Sequence, residues 1–178
     1  MINFHQIASG VDVLPLSHAL ITNAALWNAD PRRKTFKGSA HGAVDDILIR
    51  FSDKTEFSDV MDSLDSSWQS AANYLPQVRP LIFDLARRLE AVEIGRVVIT
   101  RLRAGERIDR HRDMGAYADA HHRYHIVLQG LPGSQFNCGD ESVCMRTGEV
   151  WWFNAQEEHE VINNSQDDRI HLLVDLKK

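Results

Sequence analysis

No uninterrupted apolar run in this chain approaches the roughly 20 residues that a bilayer-spanning helix requires, and residues 1–20 lack a basic start ahead of an apolar stretch. The expectation is a soluble, unexported, cytoplasmic protein with no membrane partner. Positive charge is also sparse. Lys and Arg number 20 against 25 Asp and Glu, a net charge of −5, and the short run Arg32-Arg33-Lys34 is too small to make a nucleic-acid surface. Only two cysteines occur, Cys138 and Cys144. Neither belongs to a Cys-x-x-Cys pair or stands beside a base, which argues against zinc-ribbon and cysteine-nucleophile chemistry. They flank a turn at Gly139-Asp140, so two states stay open: a bridge across a hairpin, or two reduced thiols as is usual inside cells. His121, His122 and His125 have no cysteine or closing histidine pair at a finger-like spacing, and His121 and His122 are expected to face solvent. Internal repeats and low-complexity tracts are missing as well.

What is present suits one compact domain, since 178 residues with a 43% hydrophobic share can bury a core. The texture changes near residue 93. Residues 1–92 read as a helical and irregular half with one strand. Helices are expected at 16–27 and 58–74, the latter with Ser58 and Asp59 at its start. Pro76 and Pro80 bracket another helix start, where Val78, Leu81, Ile82, Leu85 and Leu89 form an apolar stripe. Residues 44–51 are the one strand here, and 31–42 reads as a loop containing Lys37-Gly38-Ser39. From residue 93 the pattern predicts eight strands, at 94–103, 107–112, 122–129, 134–137, 143–146, 149–154, 159–163 and 169–176, separated by Gly-rich turns. Short strands without alternating helices favour a sandwich or barrel. The predicted class is therefore mainly β with flanking helices: a double-stranded β-helix, or cupin-like jelly roll, at 93–178 with the N-terminal helices packed over one sheet.

Strand alternation sorts side chains by face. The run Arg123-Tyr124-His125-Ile126-Val127-Leu128-Gln129 puts Arg123, His125, Val127 and Gln129 on one side and Tyr124, Ile126 and Leu128 on the other. The last strand repeats this design. Arg169, His171 and Asp175 share a face with Leu173, while Ile170, Leu172, Val174 and Leu176 make an apolar face that belongs under the helices. The polar faces then line the cavity, where buried charge needs partners and a carboxylate ligand would supply one. Trp151, Trp152 and Phe153 read as barrel core rather than a substrate cage. His171 reads equally as a packed strand residue or a cavity residue.

Chemistry gathers in the last 80 residues. With nine histidines in the chain, a single His-x-Asp carries no weight alone. His111 and Asp113, however, lie two apart where extended chain runs into a loop, so both can address one ion. With His159 they make a two-histidine, one-carboxylate set of the type that holds Fe(II) on one face and leaves positions open, and Arg169 follows with a planar fork suited to a carboxylate.

These residues resemble the aspartyl/asparaginyl β-hydroxylase-like branch of the iron(II)- and 2-oxoglutarate-dependent oxygenases, and look similar to bacterial proline hydroxylases of the same core. The resemblance rests on Ala-Gly-x-x-Ile-x-x-His-x-Asp at 104–113, Arg-x-His at 123–125, Gly-Glu-Val-Trp-Trp-Phe at 148–153, His-Glu-Val at 159–161 and Arg-Ile-His-Leu-Leu-Val-Asp at 169–175. It implies that His111, Asp113 and His159 are the catalytic iron ligands and that Arg169, assisted by Thr100, meets the distal carboxylate of 2-oxoglutarate. Arg123 and His125 would contact the co-substrate near its metal-binding end. The implied reaction uses Fe(II), 2-oxoglutarate and O2 to hydroxylate an unactivated C–H, releasing succinate and CO2. The substrate is expected to be a peptidyl Asp or Asn, or a free amino acid such as proline. His41, Arg50 and Arg112 are candidates for contacting it if 44–51 forms a strand at the cavity rim; an equal reading makes Arg50 a surface residue. The alternative outside oxygen chemistry is a non-redox cupin-like module that binds a small carboxylate, with or without a divalent metal; a hydrolytic or isomerising metal cupin is a third.

Overall fold

The computed structural model describes residues 1–35 and 40–177; Lys37-Gly38-Ser39 of the expected 31–42 loop lies outside the described residues. In chain order the elements are β1 (Phe4–Ala8), α1 (Leu14–Thr22), a 3₁₀ turn (Ala24–Leu26), α2 (Arg32–Thr35), β2 (Val44–Phe51), α3 (Phe57–Asp62), β3 (Ser67–Trp68), α4 (Ala71–Tyr74) and α5 (Val78–Arg88). The second half adds β4 (Glu93–Leu102), β5 (Arg107–His111), α6 (Ala116–Ala120), β6 (His122–Gln129), β7 (Ser134–Cys138), β8 (Glu141–Val143), β9 (Val150–Phe153), β10 (His159–Asn163) and β11 (Arg169–Lys177). Among the described residues, no helix is long and apolar enough to cross a membrane.

The strands form two antiparallel sheets, one of seven strands in the order β1-β9-β6-β11-β4-β2-β3 and one of four in the order β5-β10-β7-β8. Their period-2 faces explain the layers. On the outer face of the larger sheet, Tyr124, Ile126, Leu128, Leu172, Val174 and Leu176 pack with Leu16 and Leu20 of α1 and Val78, Ile82 and Leu85 of α5. Between the sheets, Val44, Leu102, Val127 and Phe153 meet Ile108, Phe136, Val143 and Val161. The mainly β, double-sheet architecture expected from alternation is thus the observed one, with helices covering one face.

The departures have local causes. The expected helix at 58–74 is broken into α3, β3 and α4, because Ser67 and Trp68 pair with Phe51 and Arg50 and the Trp68 ring lies between the guanidinium groups of Arg50 and Arg79, at 4.9 and 4.4 Å. The intervening Ser- and Asp-rich stretch has weak helix propensity to oppose this. The helix expected at 16–27 ends at Thr22, where Asn23 caps it by donating both its backbone N–H and its side-chain amide to the Ala19 carbonyl, at 3.0 and 2.9 Å. β1, α2 and α6 have no counterpart in the pattern: they are short, and β1 exists through its pairing with β9.

The strand expected at 143–146 instead spans Glu141–Val143. Gly139, with φ of 56°, takes a left-handed conformation that glycine adopts without strain, so that Cys138 pairs directly with Glu141. Cys144 therefore falls past the ladder, exposed, while Cys138 is buried; both are free thiols rather than a facing pair.

Leu172 is fully buried between β11 and the helical layer. Replacing it with Ala is expected to lower stability by about 2–5 kcal/mol, measured as a shift in the urea unfolding midpoint with an unchanged slope.

Candidate metal and co-substrate site

Sheet pairing does the first work of assembly. In the β5–β10 ladder His111 stands directly opposite His159, and their ring centroids are 4.3 Å apart. Asp113 follows two residues after β5 ends, where its backbone N–H donates to the Ala155 carbonyl at 3.0 Å. One donor atom from each of His111, Asp113 and His159 lies within 4.8 Å of the others.

The rings are aimed by the backbone. His111 Nδ1 lies 2.7 Å from the Asp109 carbonyl and His159 Nδ1 lies 2.9 Å from the Glu157 carbonyl. Each contact requires the proton on Nδ1, which leaves Nε2 as the lone-pair donor, the usual outer contact of a metal-binding imidazole. His111 Nε2 is buried with no hydrogen-bond partner among the described residues. Burial pulls the His159 pKa down to about 4, which keeps that ring neutral at physiological pH. A set of two imidazoles and a carboxylate within reach of one another, with His111 Nε2 unpartnered, fits an ion such as Fe(II).

The carboxylate is held from behind. Arg123 forms an ion pair with Asp113 Oδ2 and grips Asp175 with two hydrogen bonds, Nε to Oδ1 at 2.8 Å and Nη2 to Oδ2 at 3.0 Å. Burial pushes Asp113 up, but Arg123 and the neighbouring histidines more than offset it, so its pKa lies below the ordinary value. This places Arg123 between two acids beside the triad.

Deeper in, register sets the inner face of the larger sheet as successive rungs: Leu173 beside Val98 and His125, then His171 beside Thr100 and Val127, then Arg169 beside Leu102. A small space of about 30 Å³ is bordered by Thr100, His125, Phe136, His159 and Arg169. Arg169 is only 3% exposed. Its guanidinium faces the Phe136 ring at 5.6 Å, no acidic group among the described residues pairs with it, and its Nη2 has no hydrogen-bond partner among them. Burial alone pulls its pKa down to about 9. His125 Nε2 is likewise buried and unpartnered, while its Nδ1 lies 3.0 Å from Nδ1 of His171. An unanswered guanidinium and a spare imidazole nitrogen around one space fit the end of a carboxylate ligand.

A larger cavity of about 420 Å³ adjoins this one, sharing Arg33, His41, His111, Arg123 and Leu173 as lining residues. His41 is half-buried there, its ring edge-on to His111 at 5.2 Å. Arg112 stands at the exposed rim, paired with Glu157 at 3.3 Å. Arg50 is not brought to the site. It borders neither cavity and donates to the carbonyls of Gly95, Ser66 and Ile94, because the irregularity between Leu48 and Arg50 turns it toward β3. His121 is also corrected. Rather than facing solvent, it is buried and stacks on Tyr117 at 4.1 Å. Trp151 and Phe153 are buried, as expected of core, while Trp152 lies on the other side and stacks with His5 at 5.2 Å.

Sequence reasoning did not single out Arg33, Arg96, Tyr117 or Asp175 as site residues. Asp175 was legible through its shared face with Arg123 across β6 and β11. Arg33 was hidden in a basic triplet; its partner is Asp46, at 2.8 Å. Nothing in the local pattern distinguishes Arg96 and Tyr117.

A family model described as Aspartyl/Asparaginyl beta-hydroxylase matches residues 56–178. Among curated proteins none matches the chain in sequence. Of solved structures, an oxidoreductase of the 2OG-Fe(II) oxygenase family from Burkholderia pseudomallei superposes with a TM-score of 0.57 at 14% identity, over 75% of this chain and 66% of that one. The chain thus spans just under two thirds of that relative's length. A prolyl-4-hydroxylase from Pseudomonas putida gives a TM-score of 0.56 at 14% identity, over 100% of this chain and 94% of that one. At such identity both similarities speak for a shared fold.

Two expectations follow. Replacing Arg169 with Met removes an uncompensated buried charge, so the metal-free, ligand-free protein is expected to gain about 1–4 kcal/mol in urea unfolding; a loss would show the guanidinium to be satisfied from within. The second concerns acid. His41, His125, His159 and His171 all have pKa values lowered by burial, so the unfolded chain takes up protons that the folded chain refuses. Stability is complete above about pH 6.5 and falls with pH toward 4, by up to about 1.4 kcal/mol per pH unit for each imbalanced imidazole. Urea unfolding of the metal-free protein between pH 7 and 4.5 measures that slope.

Proposed function

The chain belongs to the aspartyl/asparaginyl beta-hydroxylase family, and from that membership and the geometry above we propose that it is an Fe(II)- and 2-oxoglutarate-dependent dioxygenase that hydroxylates an amino acid or amino-acid residue. The observation that carries the reading is the approach of His111, Asp113 and His159 within 4.8 Å beside a buried guanidinium that has no acidic partner among the described residues. When bound, iron with 2-oxoglutarate and O2 supplies the oxidising power for an unactivated C–H, with release of succinate and CO2.

The protein's part is positioning and exclusion. His111 and His159 present Nε2 because backbone carbonyls take up their Nδ1 protons. Asp113 offers one carboxylate oxygen while Arg123 occupies the other, and Asp175 fixes Arg123 in turn. Arg169 receives the distal carboxylate of the co-substrate, with Thr100 and His125 along its length. Phe136, Phe153 and Leu173 keep water from the space around it. The substrate enters the larger cavity, past Arg112 and His41. The partners are thus a small-molecule co-substrate and an amino-acid or peptide substrate, and the setting is the cytoplasm.

Anaerobic addition of Fe(II) and then 2-oxoglutarate is expected to give a visible charge-transfer band; a module that merely binds a small acid has no reason to show one. Succinate formation should collapse in His111→Ala and Asp113→Ala. In Arg169→Ala the apparent affinity for 2-oxoglutarate should drop about 30-fold or more, and full activity would reject the assigned anchor. Asp175→Asn is expected to weaken Fe(II) binding about 10- to 100-fold, read by metal titration without turnover.

A further inference from the structure

The larger cavity holds a second guanidinium that no acid touches. Arg96 projects from β4 into it and is only 8% exposed. Its Nη2 donates to the carbonyls of Val60 and Ser63 at the end of α3, the latter at 3.2 Å. Its plane lies over the Tyr117 ring at 3.5 Å and near Phe51 at 5.3 Å. Gly95 makes that stacking possible, since a Cβ there would lie 2.4 Å from the Tyr117 hydroxyl. The group is therefore fixed in place, unable to swing out to water, yet its Nε is buried with no partner and no carboxylate pairs with it among the described residues. Asp175, the nearest acid across the irregular stretch of the β4–β11 pairing, is taken by Arg123.

Every other arginine bordering this cavity has an acid in contact: Arg33 with Asp46, Arg112 with Glu157, Arg123 with Asp113 and Asp175. The rest of the wall is largely apolar, with Phe51, Val60, Met61, Val98, Met114 and Leu173 among it. An isolated, pre-oriented guanidinium in an apolar wall is a receptor for one carboxylate attached to an apolar body.

Resting on the hydroxylase reading above, we propose that Arg96 binds the carboxylate of the substrate, and that the substrate is a small apolar acid of amino-acid size or an apolar residue at a peptide's C-terminus. Stacking on Tyr117 fixes the guanidinium plane, and the apolar wall takes the aliphatic part, in the same cavity that His111 and Asp113 line.

The test is binding without turnover, by anaerobic calorimetric titration of the protein loaded with Fe(II) and 2-oxoglutarate. The probes are acid and amide pairs: L-leucine with L-leucinamide, L-proline with L-prolinamide, and a tripeptide ending in leucine with its C-terminal amide. At least one acid is expected to bind about 10- to 100-fold more tightly than its amide, and Arg96→Met should erase that ratio by weakening the acid alone. The free amino acids against the tripeptide decide between the two sources. Because Arg96 also tethers α3, Arg96→Lys is measured in parallel: it keeps the charge and should retain part of the preference. Equal binding of acid and amide, an acid preference that survives in Arg96→Met, or no binding by any pair each overturns the proposal. The charge-transfer band recorded before probe is added reports separately on the iron and co-substrate reading.

Discussion

Charge placed between two packed sheets must be answered, since desolvating an ion costs several kcal/mol unless a partner restores what water supplied. The inner face of this protein is organised by that constraint. Arg33 is answered by Asp46, and Arg123 by Asp113 and Asp175. Arg169 and Arg96 are buried as well, yet neither has an acidic partner among the described residues, and Arg169 Nη2 and Arg96 Nε have no hydrogen-bond partner there. Two such groups cost stability in the ligand-free state, and on the proposed reading each is answered by an incoming carboxylate. Arg169 borders the smaller cavity and Arg96 the larger one that adjoins it.

The triad is arranged with little dependence on its own side-chain contacts. The ladder between β5 and β10 sets His111 against His159, and three backbone carbonyls, of Asp109, Glu157 and Ala155, orient the two rings and the turn that carries Asp113. An imidazole kept neutral by burial, as that of His159 is, can coordinate without first losing a proton, so on the proposed reading metal affinity and acid stability are linked through it.

Much of this was legible because strands alternate. The polar and apolar faces of the segments around His125 and His171 separated cleanly, which located the cavity face, the helix-covered face and the depth of Arg169. The misreadings arose where a side chain's partner comes from elsewhere in the chain. Arg50 reads from the sequence equally as a cavity-rim contact or a surface residue, whereas beside an irregularity in β2 it donates to the carbonyls of Ser66, Ile94 and Gly95. His121 was assigned to solvent, but Tyr117 of α6 covers it. The helix expected at 58–74 yielded to Trp68 and its two arginines, a contact worth more than the weak helical preference of the residues between.

Period-2 patterning, turn glycines and the order His111, Asp113, His159, Arg169 are properties of the chain itself, and they determined the class of fold, the layer each strand face belongs to and the candidate ligand set. Which arginines meet an acid and which do not is a property of the folded state alone. Asp175 reaches Arg123 from 52 residues away, and Arg96 meets α3 and Tyr117 from distant segments. Pairing energies fall off within a few ångströms, so only tertiary structure, which sets those few ångströms, could decide them.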